Sequence, residues 1–114
     1  MPTGAKSWTL DTARTLLQEV RAHTAQAVPE VERLAAARDG AAEGSQERVR
    51  LETELAGCIS RWVRAMEALG VEVKGLWLVD FDNGSGCYCW RWPEERLEFF
   101  HGYDEGFEGR TRIQ

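Results

Sequence analysis

Apolar residues recur at alternating spacings of three and four along the first third of the chain, and this pattern constrains the fold most. With one threonine among them, these positions are Leu10, Ala13, Leu17, Val20, Thr24, Ala27, Val31 and Leu34. Such spacing places the side chains on one stripe of an α-helix, so we predict a helix over residues 10–38. Pro29 lies inside this range, and the stripe keeps its phase across it. The pattern therefore favours one helix kinked at Pro29 over two separate helices.

A second stripe with the same spacing predicts a helix over residues 45–70. Its members are Leu51, Leu55, Cys58, Trp62, Ala65 and Leu69. Ser45 is a suitable N-cap and Gly70 a suitable C-terminal stop. Because only a short, glycine-containing loop separates the two helices, we expect them to be antiparallel neighbours in a helical hairpin.

The predicted helices are long for a chain of this size. A helix of about 28 residues extends about 42 Å, which exceeds the width of a small sheet. We therefore expect a homodimer in which two hairpins form a four-helix bundle of coiled-coil type. Its seam would contain Leu17, Val20, Leu51, Leu55 and Trp62. The alternative is a first helix that breaks at Pro29 and folds back onto the sheet.

Strand-forming residues and nine of the eleven aromatic residues lie after Gly70. We predict an antiparallel β-meander over residues 76–101, with strands at 76–81, 87–92 and 96–101. Asn83-Gly84 is a strong hairpin signal because both residues accept positive φ. Residues 102–114 form a glycine-rich tail, which Phe107 and Arg110 are expected to order. The fold class is thus α+β, in a single domain over residues 1–114.

Charge and composition exclude several classes of protein. A net charge of −5 argues against nonspecific binding to nucleic acid or to a membrane surface. No apolar run is long enough for a membrane span. Three cysteines are too few for a disulfide framework, so a cytoplasmic location is expected.

Several short motifs resemble a known family of bacterial proteins. They are Ser7-Trp8-Thr9-Leu10, Leu69-Gly70-Val71-Glu72-Val73-Lys74, Leu78-Val79-Asp80-Phe81, Cys89-Trp90-Arg91, Phe100-His101 and Gly106-Phe107-Glu108-Gly109-Arg110. In order and spacing they are similar to the domain of unknown function 2203 family. The chain departs from the family pattern at Asp11-Thr12, where the pattern has Glu-Glu, and at Phe100, where it has Trp. The resemblance supports the architecture and implies no reaction.

A metal- or redox-responsive site is one functional alternative. Cys87, Cys89 and His101, with Asp80 as a further candidate, are residue types that bind zinc or iron. Two-residue turns at both hairpins would place the cysteines and His101 on opposite faces of the sheet. An odd-length turn would change that arrangement. We therefore expect no cofactor, with zinc or iron as the alternative.

The other alternative is a small-anion binder or an enzyme that uses Asp80, Arg91 and Arg110, and His101 is a further candidate for binding a ligand or partner. We expect a solvated sheet face on which Arg91 pairs with Glu98, and a tail pinned by Arg110 to Asp80 or Glu98. The leading hypothesis is a homodimeric, non-catalytic interaction or accessory module that has a protein partner.

Overall fold

The computed structural model of the protein describes residues 7–113. It begins with two helices, α1 (Leu10–Gly40) and α2 (Gln46–Leu69), which pack against each other as a hairpin. Helix α1 runs without interruption through Pro29, as predicted, and ends at Gly40 rather than near Arg38.

Two capping side chains begin these helices, and one glycine ends α2, at the residues that the sequence predicts. Thr9 caps α1 by accepting a hydrogen bond from the Thr12 backbone N–H, and the Thr12 hydroxyl accepts one from the Thr9 backbone. Ser45 caps α2 through the Arg48 backbone N–H at 3.1 Å. Gly70 ends α2 at a φ of 93°, a left-handed conformation that a side chain would disfavour.

The rest of the chain forms one antiparallel sheet of five strands in sequential order. The strands are β1 (Glu72–Gly75), β2 (Leu78–Asp82), β3 (Cys87–Arg91), β4 (Phe99–His101) and β5 (Thr111–Arg112). The expected α+β class is confirmed, but the expected count of three strands is wrong. Strands β1 and β5 have four and two residues, too few to show an alternating pattern in the sequence.

The predicted start of the first meander strand at Leu76 is also wrong. Leu76 and Trp77 instead form the turn between β1 and β2, where Trp77 has a φ of 63°. The Trp77 ring packs edge-on against Trp62, with ring centroids 4.8 Å apart. This contact joins the turn to α2 and offsets part of the cost of the left-handed backbone.

A four-residue loop, not a two-residue turn, connects β2 to β3. Asp82 therefore pairs with Cys87, and Asp80 with Cys89. Gly86 is the last residue of this loop. A Cβ atom at this position would lie 2.5 Å from the Phe100 ring, so only glycine fits. The shift from the predicted register is two residues, so every side chain of β2 and β3 keeps its predicted face.

The register between β3 and β4 differs from the prediction by one residue. Cys87 pairs with His101 and Cys89 with Phe99, whereas two-residue turns would have paired Tyr88 with His101. A one-residue change reverses the faces of β4 relative to β3. The expected separation of the cysteines from His101 is therefore wrong, and all three lie on the face of the sheet that also carries Asp80.

The helices cover the opposite face of the sheet. Side chains buried there or between the helices include Leu17, Val20, Trp62, Val79, Phe81 and Trp90. A second apolar cluster, with Leu34, Leu51 and Leu55, lies farther along the hairpin. The five expected seam residues are thus buried within one chain. In the described part of the chain, neither helix has the length and apolar content to cross a membrane.

A buried hydrogen bond joins the two helices. The Trp62 Nε1–H donates to Thr24 Oγ1 at 2.9 Å, and that hydroxyl donates to the Val20 carbonyl at 2.7 Å. Thr24 is fully buried, so its hydroxyl provides the indole N–H with an acceptor in an apolar interface.

Thr24→Val should destabilise the protein by about 1–3 kcal/mol, because it keeps the shape of the side chain and leaves a buried N–H unpaired. Urea denaturation followed by tryptophan fluorescence measures this change. In a Trp62→Phe background, which has no indole N–H, Thr24→Val should cost much less. Equal costs in the two backgrounds would show that the hydrogen bond contributes nothing to stability.

Candidate functional site

The sheet face away from the helices carries the candidate site. Asp80 on β2 lies opposite Cys89 on β3, and Cys87 lies opposite His101 on β4. Tyr103, Gly106 and Phe107 of the C-terminal tail line this face beside the cluster, and the tail then pairs with β4 as β5. The expectation of a solvated face is therefore wrong, since Asp80, Cys87, Cys89 and His101 are all buried.

Asp80 and His101 form a buried pair at the centre of this face. His101 Nε2 lies 3.0 Å from Asp80 Oδ2, and their side chains are only 5% and 2% exposed. His101 Nδ1 lies 2.8 Å from the Gly102 carbonyl oxygen. A carbonyl only accepts, so Nδ1 carries a proton and Nε2 is the nitrogen directed at Asp80.

The other carboxylate oxygen of Asp80 has no partner. Oδ1 is buried and makes no hydrogen bond with any residue that the structure describes. An unpaired buried carboxylate oxygen costs free energy, and most buried polar atoms have a partner. Asp80 therefore retains an unused ligand atom inside the protein.

Cys89 completes the cluster. One ligand atom each from Asp80, Cys89 and His101 lies within 4.8 Å of the other two. Burial, and then the Asp80 carboxylate, raise the pKa of the Cys89 thiol to about 12, although the Arg110 guanidinium acts in the opposite direction. The free thiol is therefore protonated near neutral pH and is a poor nucleophile.

Cys87 does not belong to this cluster, although its strand position is opposite His101. Burial and the negative charges of Asp80 and Asp82 raise the pKa of its thiol to about 12. The expected set of Cys87, Cys89 and His101 thus becomes Asp80, Cys89 and His101 in the described structure.

A cavity of about 440 Å³ opens beside the cluster. Two members of the cluster, Asp80 and His101, line it. The other lining residues are Glu72, Lys74, Leu78, Asp82, Cys87, Tyr103, Gly106 and Phe107. The Tyr103 hydroxyl donates to Asp82 Oδ1 at 2.6 Å and, with the Gly84 N–H, holds the pKa of that carboxyl below its ordinary value. The cavity therefore gives the buried cluster a polar, mostly acidic neighbourhood.

Arg110 fixes the tail, but not through the residues expected. Its guanidinium binds Glu94 through two hydrogen bonds of 2.6 and 3.2 Å, instead of binding Asp80 or Glu98. It also lies between the rings of Phe99 and Phe107, 4.0 and 4.1 Å from their centroids. The reversed face of β4 explains this, because it turns Phe99 towards the tail.

The expected Arg91–Glu98 pair is also absent from the described structure. Arg91 lies over the Phe107 ring at 5.2 Å, while Glu98 pairs with the exposed Arg112. Both arginines of the expected anion site are thus engaged with the tail or the β3–β4 loop, and the Arg110 fork is already filled by Glu94.

Fold and site together define an α+β protein with a long helical hairpin and a sheet face closed by its own C-terminal segment. Residues 6–113 match a protein family described as "Uncharacterized conserved protein (DUF2203)". The chain therefore belongs to the DUF2203 family, as the motifs predict. Nothing among the curated proteins or the solved structures matches it.

Removing the carboxylate that holds the tail should expose it to protease. Glu94→Ala should accelerate tryptic cleavage after Arg110 about tenfold, because a half-buried bidentate pair is lost and the tail opens more often. Mass spectrometry of the products over time measures the rate. Glu98→Ala is the matched control, since it breaks an exposed pair and should change that rate less than about threefold. Equal acceleration by both variants would contradict the proposed clamp.

Proposed function

We propose that the protein binds a transition-metal ion of the zinc or iron class through Asp80, Cys89 and His101. The observation that carries the proposal is the convergence of a carboxylate, a thiol and an imidazole within 4.8 Å inside the protein. Nitrogen, sulfur and carboxylate ligands together are typical of zinc and iron centres.

The distances between the ligand atoms of Asp80, Cys89 and His101 suit a single metal ion. Tetrahedral coordination at 2.0–2.3 Å places ligand atoms about 3.3–3.8 Å apart. One ligand atom from each residue lies within 4.8 Å of the other two, and His101 Nε2 lies 3.0 Å from Asp80 Oδ2. Side-chain adjustments of a few tenths of an ångström to about 1 Å would therefore bring all three into coordination distance.

The surroundings support the same ligand set. The Gly102 carbonyl accepts from His101 Nδ1 and so directs Nε2 at the cluster, which is the usual outer support of a metal-binding histidine. Asp80 Oδ1 has no hydrogen-bond partner among the described residues, so metal binding through this oxygen would break no hydrogen bond. Binding would release the Cys89 proton and the proton held between His101 Nε2 and Asp80 Oδ2, since a metal binds a thiolate, an unprotonated imidazole nitrogen and a carboxylate.

Three protein ligands leave one tetrahedral position, and the adjoining cavity gives that position access to a water molecule or a small ligand. This arrangement favours a metal-binding or metal-responsive protein over a thiol enzyme. A Cys89 pKa of about 12 opposes a thiol nucleophile that acts without metal.

Cobalt(II) binding tests the proposal because a cobalt–thiolate bond has a charge-transfer absorption in the near ultraviolet. Titration of protein purified without a histidine tag should give this band, saturating at one ion per chain, and zinc should displace it. Cys89→Ser should abolish the band, and Asp80→Asn and His101→Gln should weaken binding at least about tenfold. Cys87→Ser, on the same strand and face, is the matched control and should keep the band.

The proposal fails if wild-type protein gives no thiolate band, or if Cys87→Ser removes it while Cys89→Ser does not. Circular dichroism of each variant separates loss of a ligand from loss of the fold. Metal analysis of the protein as purified identifies the ion that it acquires during expression.

Homodimerisation is a separate proposal, supported by the elongated shape of the chain, 49 Å in its longest dimension. Because the seam residues are already buried within one chain, a dimer must use additional surface on the hairpin. Light scattering at micromolar concentration should give about twice the chain mass of 12.9 kDa. A mass equal to one chain would contradict the dimer and the accessory role built on it.

A further inference from the structure

A second cavity, of about 460 Å³, lies where α1 meets the loop between β3 and β4. Arg14 and Arg21 from α1 and Arg96 from the loop all line it. Leu17 and Leu97 give it an apolar wall. Its volume is in the range of small-molecule sites, and its residues are distinct from those of the metal cluster.

None of these three arginines has a carboxylate within ion-pair distance in residues 7–113, although eight ion pairs occur there. Arg14 donates from Nε and Nη2 to the Leu97 carbonyl, at 3.3 and 3.2 Å, which orients its guanidinium without neutralising it. Arg21 is half-buried, and its Nε is buried with no hydrogen-bond partner in the described structure. A buried N–H without a partner has lost its hydrogen bonds to water and gained none in return. A bound anion would supply the missing acceptor.

The charge balance of the cavity is positive in an acidic protein. Glu95 and Glu98 also line it, but Glu98 is paired with Arg112. Three arginines thus face one unpaired carboxylate, whereas the whole chain carries a net charge of −5. Arginine forks bind carboxylates and phosphates in the same planar, bidentate manner.

The geometry points to a binding site for a small organic anion, whose carboxylate or phosphate groups contact Arg14, Arg21 and Arg96. Its carbon skeleton would lie against Leu17 and Leu97. The apolar wall of Leu17 and Leu97 favours a ligand with an organic part over a single inorganic ion. This site does not depend on the metal proposal, because the two share no residue.

Nuclear magnetic resonance of ¹⁵N-labelled protein can test the site with two probes, succinate and glycerol 3-phosphate, both dianions near neutral pH. Sodium chloride at matched ionic strength is the blank. At least one probe should give saturable shifts confined to amides near residues 14–21 and 95–98. The probe that binds more tightly shows whether the site prefers carboxylate or phosphate.

Arg21→Gln and Arg96→Gln should each weaken that binding about tenfold, since each removes charged hydrogen bonds. Arg64→Gln, an exposed arginine on α2 outside the cavity, is the matched control and should bind within about twofold of wild type. Arg96 is exposed on the loop, so Arg96→Gln should fold. This variant tests the site if Arg21→Gln does not fold. The proposal is overturned if neither probe exceeds the chloride blank, or if binding survives unchanged in the folded arginine variants.

Discussion

The loop between β3 and β4 carries the constraint on which the candidate metal site depends, because its length sets the register of β4. Three contacts hold it. The Glu94 carbonyl accepts from Trp90 Nε1 at 2.7 Å, its carboxylate accepts from the Arg91 backbone N–H at 2.9 Å, and Leu97 is fully buried in the core. With these points fixed, β4 begins only at Phe99, and His101 lies on the same face as Asp80 and Cys89. A slip of one residue would move His101 to the helix side and dismantle the cluster.

The same loop attaches the tail. The Glu94 carboxylate also accepts two hydrogen bonds from the Arg110 guanidinium, whose central carbon lies 4.0 and 4.1 Å from the ring centroids of Phe99 and Phe107. The tail in turn excludes solvent from Cys89, whose thiol pKa rises to about 12 mainly because it is buried. Burial thus suppresses the chemistry of the free thiol while it keeps a protected ligand atom beside Asp80 and His101. In the proposed metal site, one ion would satisfy all three of these buried groups at once.

Features set by neighbouring residues were predictable from the sequence, and features set by contacts between distant residues were not. Heptad spacing, the caps at Thr9 and Ser45 and the stop at Gly70 predicted both helices, because each signal acts over a few neighbouring residues. The faces of β2 and β3 were also predicted, since a change of two residues in the turn preserves them. The face of β4 was not, because its register also depends on Leu97, which is buried in the core and whose carbonyl accepts from the distant Arg14. The partner of Arg110 was missed for the same reason, and the three arginines of the second cavity are spread over 83 residues of sequence, from Arg14 to Arg96, with no motif to link them.

One proposed site lies on the sheet face away from the helices and the other lies between α1 and the β3–β4 loop, and this loop bears on both. Glu94 holds the tail over the metal cluster, while Arg96 and Leu97, two and three residues later, line the anion cavity. The Leu97 carbonyl is bound by Arg14, so the position of the loop is also tied to α1. An anion that draws Arg14 and Arg96 together acts on the same backbone segment that fixes the register of His101. Binding at either proposed site would therefore act on this loop, and the two binding free energies would be coupled only through a second conformation of it.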